Sequence, residues 1–148
     1  MNFNEVPYRY PARSVVVDGF RVAYVDVNPD AADAVVFLHD VGGDLDDFVP
    51  VYERIAGDRR AIGVDLVGFG KSDKPPLDDP VALYTNVLGG FLTALDLERV
   101  ALVGHGIGAL VAARFASEHP ERVGRLVLSA LPGVHELTAD ELATADDF

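Results

Sequence analysis

The sequence has 148 residues, of which 49% are hydrophobic and 24% are charged, a composition typical of one ordinary globular domain and not of a disordered or fibrous chain. It contains no cysteine, which excludes thiol catalysis, cysteine redox chemistry and cysteine zinc sites. Twelve Lys and Arg against 24 Asp and Glu give a net charge of −12, which disfavours nucleic acid and anionic membrane surfaces as partners.

The first half of the chain predicts a β-hairpin followed by a buried strand. Two β-branched runs, 14–18 and 20–27, meet at Asp18-Gly19, a dipeptide typical of hairpin turns. After a turn-rich stretch, Ala34–Leu38 form a short unbroken apolar run, which indicates a strand covered on both faces. The next predicted elements are a helix over 47–56, a strand over 60–66 and a Gly- and Pro-rich loop over 68–76.

The second half predicts alternating helices and strands. Asp79-Pro80 is a favourable helix start, and apolar residues then recur at three- and four-residue spacing as far as Leu95. This alternation predicts an α/β domain with a doubly wound, mostly parallel sheet of about six strands, which opens with the antiparallel hairpin. The remaining predicted elements are a strand over 99–103, a helix over 107–118 and a strand over 123–130.

A glycine-rich turn, Gly104-His105-Gly106-Ile107-Gly108, joins the strand at 99–103 to the following helix. With the hairpin, the His39-Asp40 turn, DLVGFGKSD at 65–73 and EHPERV at 118–123, it resembles the N-terminal portion of an α/β-hydrolase-fold enzyme. The resemblance is to the cap-bearing kind, which includes epoxide hydrolases, haloalkane dehalogenases, C–C bond hydrolases and esterases. It implies a truncated core over residues 1–133 and an acidic tail, or the stub of a cap region, over 134–148.

The middle of this turn decides what the resemblance implies for catalysis. The family pattern is G-x-nucleophile-x-G, and the nucleophile position is Gly106 here, which has no side-chain atom for covalent attack. The resemblance also implies an oxyanion hole formed by the backbone N–H groups of Val41 and Ile107. Asp40 lines the same pocket, where the family usually has Gly. A carboxylate facing the hole would oppose the negative charge that the hole stabilises.

The histidines are further candidates for this pocket. The resemblance places His39 and His105 in its lining, although each is more simply explained as a residue that packs or bonds the backbone. His119, at a predicted helix end, and His135, in the tail, are expected to have no catalytic role. The spacing of the four histidines and of the paired aspartates matches no common metal motif, so the sequence predicts neither a metal site nor a cofactor.

A second class of function is open at the same turn. Gly104, Gly106 and Ala109 satisfy the G-x-G-x-x-G/A pattern of dinucleotide-binding turns. The acidic residue that should end the next strand is absent from 125–130, and the pattern normally opens the first strand–helix unit. Nucleotide or anion binding through 104–109 is therefore the lesser alternative.

These observations predict an α/β-hydrolase-like protein that is catalytically inactive as it stands, since the family's nucleophile, His and acid have no counterparts. A truncated natural hydrolase, a ligand-binding pseudoenzyme and a minimal or designed scaffold would all have such a sequence. The expected partner is a small-molecule ligand at the Gly106 turn. No apolar run reaches the roughly 20 residues of a membrane span, and the first residues lack a secretion signal, so we expect a cytoplasmic protein.

The last predicted strand, Val123–Ala130, is apolar apart from Arg125. An apolar strand at the edge of a sheet carries unpaired backbone groups that can pair with another strand. We therefore expect either that the acidic tail folds back over this edge as a helix or, as the favoured outcome, that the edge pairs with that of a second copy in a two-fold homodimer.

Overall fold

A computed structural model describes residues 7–76 and 78–133, which form one six-stranded sheet with helices on both faces. The order of strands in the sheet is β1-β2-β4-β3-β5-β6. The first two strands form an antiparallel hairpin, β2 is antiparallel to β4, and β4, β3, β5 and β6 are parallel. The predicted fold class is thereby confirmed. The strands are β1 (Arg13–Val17), β2 (Phe20–Val27), β3 (Ala34–Leu38), β4 (Arg60–Val64), β5 (Val100–His105) and β6 (Val123–Ser129).

Three α-helices and two short 3-10 helices connect the strands. The helices are α1 (Val49–Ile55), α2 (Pro80–Ala94) and α3 (Ile107–Glu118), and the 3-10 helices are Leu45–Phe48 and Pro120–Arg122. The predicted helix over 47–56 is thus divided, with a 3-10 turn before α1. Pro50 lies in the first turn of α1, where its missing N–H group leaves no hydrogen bond unmade.

Two strand ends near the carboxyl edge of the sheet differ from the prediction. The strand predicted over 60–66 ends at Val64, because the Leu66 N–H group bonds the His39 side chain and not a neighbouring strand. The strand predicted over 99–103 continues to His105, since Gly104 still pairs with β3 and β6. The strand that carries the glycine-rich turn therefore extends two residues further toward α3 than its apolar run indicates.

β3, in the middle of the sheet, is buried on both faces, as its unbroken apolar run predicts. Val36 and Leu38 of β3 face the core under α2 and α3, where Phe91 and Phe115 are buried. On the other face, Phe37 packs edge-on against the buried Tyr52 of α1, with ring centroids 5.1 Å apart. Successive side chains of one strand thus enter two different cores, which is the arrangement of a doubly wound sheet.

None of the helices within residues 7–76 and 78–133 has both the length and the apolar character needed to cross a membrane. Residues 134–148, the predicted tail with His135, lie outside the described residues.

β6 pairs with β5 on one side, and its other side meets no strand in the described part of the chain. Its hydrophobic side chains are well exposed, with Val127 at 55% and Leu126 at 39% of their accessible surface. The expectation that this edge pairs with a second copy stays a prediction.

Replacing Val127 with Lys is expected to dissociate a dimer formed through β6, because a two-fold axis would bring like charges close together. Sedimentation velocity over a range of protein concentrations measures the change. Val16→Lys is the matched control, since Val16 is 68% exposed on β1 at the opposite edge of the sheet. A monomer at every concentration, or a dimer that survives Val127→Lys, would contradict the prediction.

Candidate active site

The first turn of α3 lies directly against the end of β3. Because β3 and β5 are parallel neighbours, their carboxyl ends meet at one edge of the sheet, and α3 begins two residues after β5 ends. A Cβ atom on Gly108 would overlap the carbonyl group of Leu38. A Cβ atom on Gly104 would overlap the backbone of Gly108 and Ala109. The contact therefore admits only glycine at both positions.

Gly106 forms the sharp turn between β5 and α3. Its backbone angles are φ 56° and ψ −121°, a conformation that costs a residue with a Cβ atom about 1–3 kcal/mol. Its N–H group donates to the carbonyl oxygen of Ser129 at 3.0 Å, which ties the turn to β6. A Cβ atom on Gly106 would overlap the carboxylate of Asp40. Asp40 thus occupies the space that a side chain at position 106 would need.

The half-buried Asp40 carboxylate is held by the start of α3. Its Oδ1 atom accepts a hydrogen bond of 2.9 Å from the backbone N–H group of Ile107. Hydrogen bonds from the N–H groups of Ile107 and Val41 hold the pKa of the Asp40 carboxyl below its ordinary value, against the opposing effect of burial. The site therefore carries a fixed negative charge at neutral pH. This charge is bound to the same two N–H groups that the family resemblance implies as an oxyanion hole.

His39 is fully buried, and both of its ring nitrogens bond the backbone. Nε2 lies 3.0 Å from the backbone nitrogen of Leu66, and Nδ1 lies 2.7 Å from the carbonyl oxygen of Asp40. A backbone N–H group can only donate, so Nε2 is the bare acceptor and Nδ1 carries the proton. The two hydrogen bonds of His39 therefore hold together the loops that follow β3 and β4.

His105, by contrast, is exposed at the end of β5. Its Nδ1 atom lies 3.1 Å from the hydroxyl oxygen of Ser129. The strand pairing explains this contact, because His105 and Ser129 are directly opposite in the register of β5 and β6. No local sequence pattern indicates that Ser129 is a neighbour of the site. The register of the two strands is the signal that locates it, and that register is a property of the folded sheet.

A second carboxylate, Asp65, organises the loops around this edge of the sheet. It is fully buried and accepts hydrogen bonds from the Tyr8 hydroxyl at 2.6 Å and from the N–H groups of Lys71 and Leu45 at 2.7 and 2.9 Å. Burial raises the pKa of the Asp65 carboxyl, although these hydrogen bonds oppose that effect. The Ser72 hydroxyl donates to the Asp65 carbonyl oxygen at 2.7 Å, so this serine has a structural role.

The fold of this chain is shared with known proteins. The profile of the alpha/beta hydrolase fold family matches residues 33–147. The chain belongs to the α/β-hydrolase family.

The similar proteins include several kinds of hydrolase. An uncharacterised protein of Mycobacterium tuberculosis is 37% identical over 118 residues, which are 80% of this chain and 34% of that protein. The 2-hydroxy-6-oxo-2,4-heptadienoate hydrolase of Pseudomonas putida is 36% identical over 85% of this chain and 47% of its own length. The haloalkane dehalogenase DatA of Agrobacterium tumefaciens has a TM-score of 0.75 and 27% identity over 82% of this chain and 41% of its own. The α/β-hydrolase chain thus spans less than half the length of these three proteins.

Gly106→Ala is expected to lower the free energy of unfolding by more than the roughly 1–3 kcal/mol of backbone strain, because the new methyl group also displaces Asp40. In an Asp40→Gly background, the cost of Gly106→Ala should fall back to that strain alone. Urea titration of the four chains measures the coupling between the two positions.

Gly19→Ala is the matched control for this cycle. Gly19 also has a positive φ, of 84°, but a Cβ atom there meets nothing within 4 Å. The loss of unfolding free energy caused by Gly19→Ala should be the same whether position 40 is Asp or Gly. Additive effects of Gly106→Ala and Asp40→Gly would show that the two residues do not share one volume.

Asp40→Asn is expected to lower the free energy of unfolding more at pH 7 than at pH 3. The lower pH lies roughly one unit below the ordinary pKa of an Asp carboxyl, which is about 3.9. The lowered pKa of Asp40 means that its ionised form stabilises the folded state above the unfolded-state pKa. That contribution is lost as the pH falls through the folded-state pKa. The measurement is the difference in unfolding free energy between the unsubstituted chain and Asp40→Asn at each of the two pH values. The contribution of Asp65 cancels in this difference because both chains contain Asp65. A difference that does not change with pH would show that the ionised form of Asp40 does not stabilise the folded state.

Proposed function

We propose that this α/β-hydrolase chain is a pseudoenzyme, which binds a small organic ligand at the Asp40–Gly106 end of the sheet without hydrolysing it. The observation that carries this proposal is the position of the Asp40 carboxylate, which leaves no room for a side chain at Gly106. In the family pattern, Gly106 aligns with the nucleophile. A glycine at that position provides no atom to form an acyl-enzyme.

The stabilisation of negative charge during ester hydrolysis is opposed by the same carboxylate. An ester carbonyl that enters the site would need the N–H groups of Ile107 and Val41 for its developing negative charge. Asp40 Oδ1 already accepts from Ile107 at 2.9 Å. A substrate oxygen would have to displace an ionised acceptor and would meet its repulsion. The two positions therefore act together against acyl transfer.

The kind of ligand that we propose follows from the negative charge of Asp40 and from the similar proteins. The haloalkane dehalogenase is named for small neutral substrates, and a small organic molecule is the ligand that we propose here. The fixed charge of Asp40 favours a neutral molecule over an anion. It also disfavours the dinucleotide alternative, because a pyrophosphate would compete with Asp40 for the Ile107 N–H group.

The proposal is tested by hydrolysis of p-nitrophenyl acetate and p-nitrophenyl butyrate. The unsubstituted chain is expected to show no saturable turnover, and its rate should equal that of Asp40→Asn and of Gly106→Ala. Gly106→Ser should not create activity, because the carboxylate leaves the new hydroxyl no room, and its melting temperature should fall.

The control for general surface reactivity is Gly42→Ala, since Gly42 lies in the same loop as Asp40 and a Cβ atom there meets nothing within 4 Å. Saturable turnover in the unsubstituted chain that Gly106→Ala abolishes and Gly42→Ala preserves would overturn the proposal.

A further inference from the structure

We propose that the amino ends of the parallel strands form a second binding site, which takes a phosphate group through Arg59, Arg99 and Arg125. The observation that carries this inference is an open groove of about 400 Å³, which is lined by these three arginines and by Asp33. The groove lies at the opposite edge of the sheet from Asp40 and Gly106. It therefore does not depend on the function proposed for that end.

The pairing of the strands explains why the three arginines meet. Arg59 directly precedes β4, Arg99 directly precedes β5, and Arg125 is the third residue of β6. Because these strands are parallel, their amino ends lie at the same edge of the sheet. Arg125 also lies opposite Ala101, the second residue of β5, in the register of the two strands. Arginines that are far apart in the chain thereby line one groove.

An irregularity in the pairing of β5 and β6 brings Arg99 to the start of β6. The register shifts between Val100 and Ala101, which leaves Gly124 as an extra residue of β6. Bulges of this kind interrupt the ladder and can redirect a side chain. The Nε atom of Arg99 lies 3.5 Å from the place that a Cβ atom on Gly124 would occupy. The Arg99 side chain is thus placed beside the residue that directly precedes Arg125.

The charge of the groove is opposite to that of the chain. Three arginines and one aspartate give its lining a net charge of +2, whereas the whole chain carries −12. Arg59 is partly neutralised, since its Nη1 atom lies 3.6 Å from Asp33 Oδ2. Arg99 and Arg125 form no ion pair with any carboxylate in residues 7–76 and 78–133. Since arginine stays protonated in proteins, two positive charges of the groove are open to an anionic ligand.

Most arginines elsewhere in the described residues already have partners within the chain. Arg60 binds Asp26 at 2.8 Å, and Arg21 lies 3.6 Å from Asp73. Arg122 donates to two backbone carbonyl oxygens at 2.8 and 3.0 Å. The groove is therefore a place where the fold brings together arginines that its own acceptors do not occupy.

A phosphate group is the anion that best fits this lining. The planar guanidinium group presents a fork of N–H donors that matches two phosphate oxygens. A phosphomonoester carries a charge of about −1.5 to −2 at neutral pH, close to the +2 of the lining, whereas a carboxylate carries a single negative charge. The groove of about 400 Å³ is within the usual size of small-molecule sites, so it has room for a small organic group beside the phosphate.

Isothermal titration calorimetry of the full chain with inorganic phosphate, glycerol 3-phosphate and glycerol tests this inference. Both phosphate compounds are expected to bind at one saturable site per chain, and glycerol is expected not to bind. Tighter binding of glycerol 3-phosphate than of inorganic phosphate would assign the site to a phosphomonoester. Equal binding of the two would assign it to the phosphate group alone. Either result supports recognition of phosphate.

Substitutions in the groove should change the affinity in opposite directions. Arg99→Gln and Arg125→Gln are each expected to weaken binding about tenfold, because each removes hydrogen bonds from a charged donor. Asp33→Asn should strengthen binding, since it removes a negative charge and releases Arg59. Arg21→Gln is the matched control, because it removes the same charge from an exposed arginine at the start of β2. β2 is antiparallel to β4, so Arg21 lies at the opposite edge of the sheet.

Circular dichroism of each variant checks that the chain remains folded. The absence of saturable binding by either phosphate compound would overturn the inference, and so would binding of glycerol as tight as that of glycerol 3-phosphate. Equal losses of affinity in Arg21→Gln and in the two groove variants would show that the effect is only one of net charge. Weaker binding in Asp33→Asn would also contradict the proposed site.

Discussion

The contact between the first turn of α3 and the end of β3 is the constraint on which the whole site depends. Gly108 has to be glycine because the Leu38 carbonyl group lies where its side chain would be. The same closeness brings the loop after β3 over Gly106, so that the two chain segments share one small volume. Only one side chain fits in that volume. In this chain that side chain belongs to Asp40, and the turn between β5 and α3 has a glycine, Gly106, at its tip.

Two carboxylates at this edge of the sheet have opposite environments. Asp40 is half-buried on backbone N–H groups that favour its charge, whereas Asp65 is fully buried and its pKa is raised by that burial. Asp65 connects Tyr8, Leu45 and Lys71, and thereby fixes the loops that surround the site. Asp65 therefore holds the loops together, and Asp40 places a fixed negative charge at the site.

Membership of the α/β-hydrolase family concerns the scaffold, and chemistry depends on individual residues within it. The two hydrophobic cores on the faces of the sheet involve neither Asp40 nor Gly106. The packing of the two cores therefore does not depend on the residue at the tip of the turn. Glycine at position 106 also removes the backbone strain that a side chain there would cause.

The sequence by itself determined the elements and their class, because turns such as Asp18-Gly19 and the unbroken apolar run of Ala34–Leu38 are local signals. The resemblance of the sequence to the family pattern also predicted that Asp40 and Gly106 lie close together, as they do. Only the tertiary structure decided that the Asp40 carboxylate accepts from Ile107, and that His105 faces Ser129. These contacts join residues 67 and 24 positions apart in the chain. Their distances depend on how closely parallel strands pack and in which register, and no local pattern encodes either quantity.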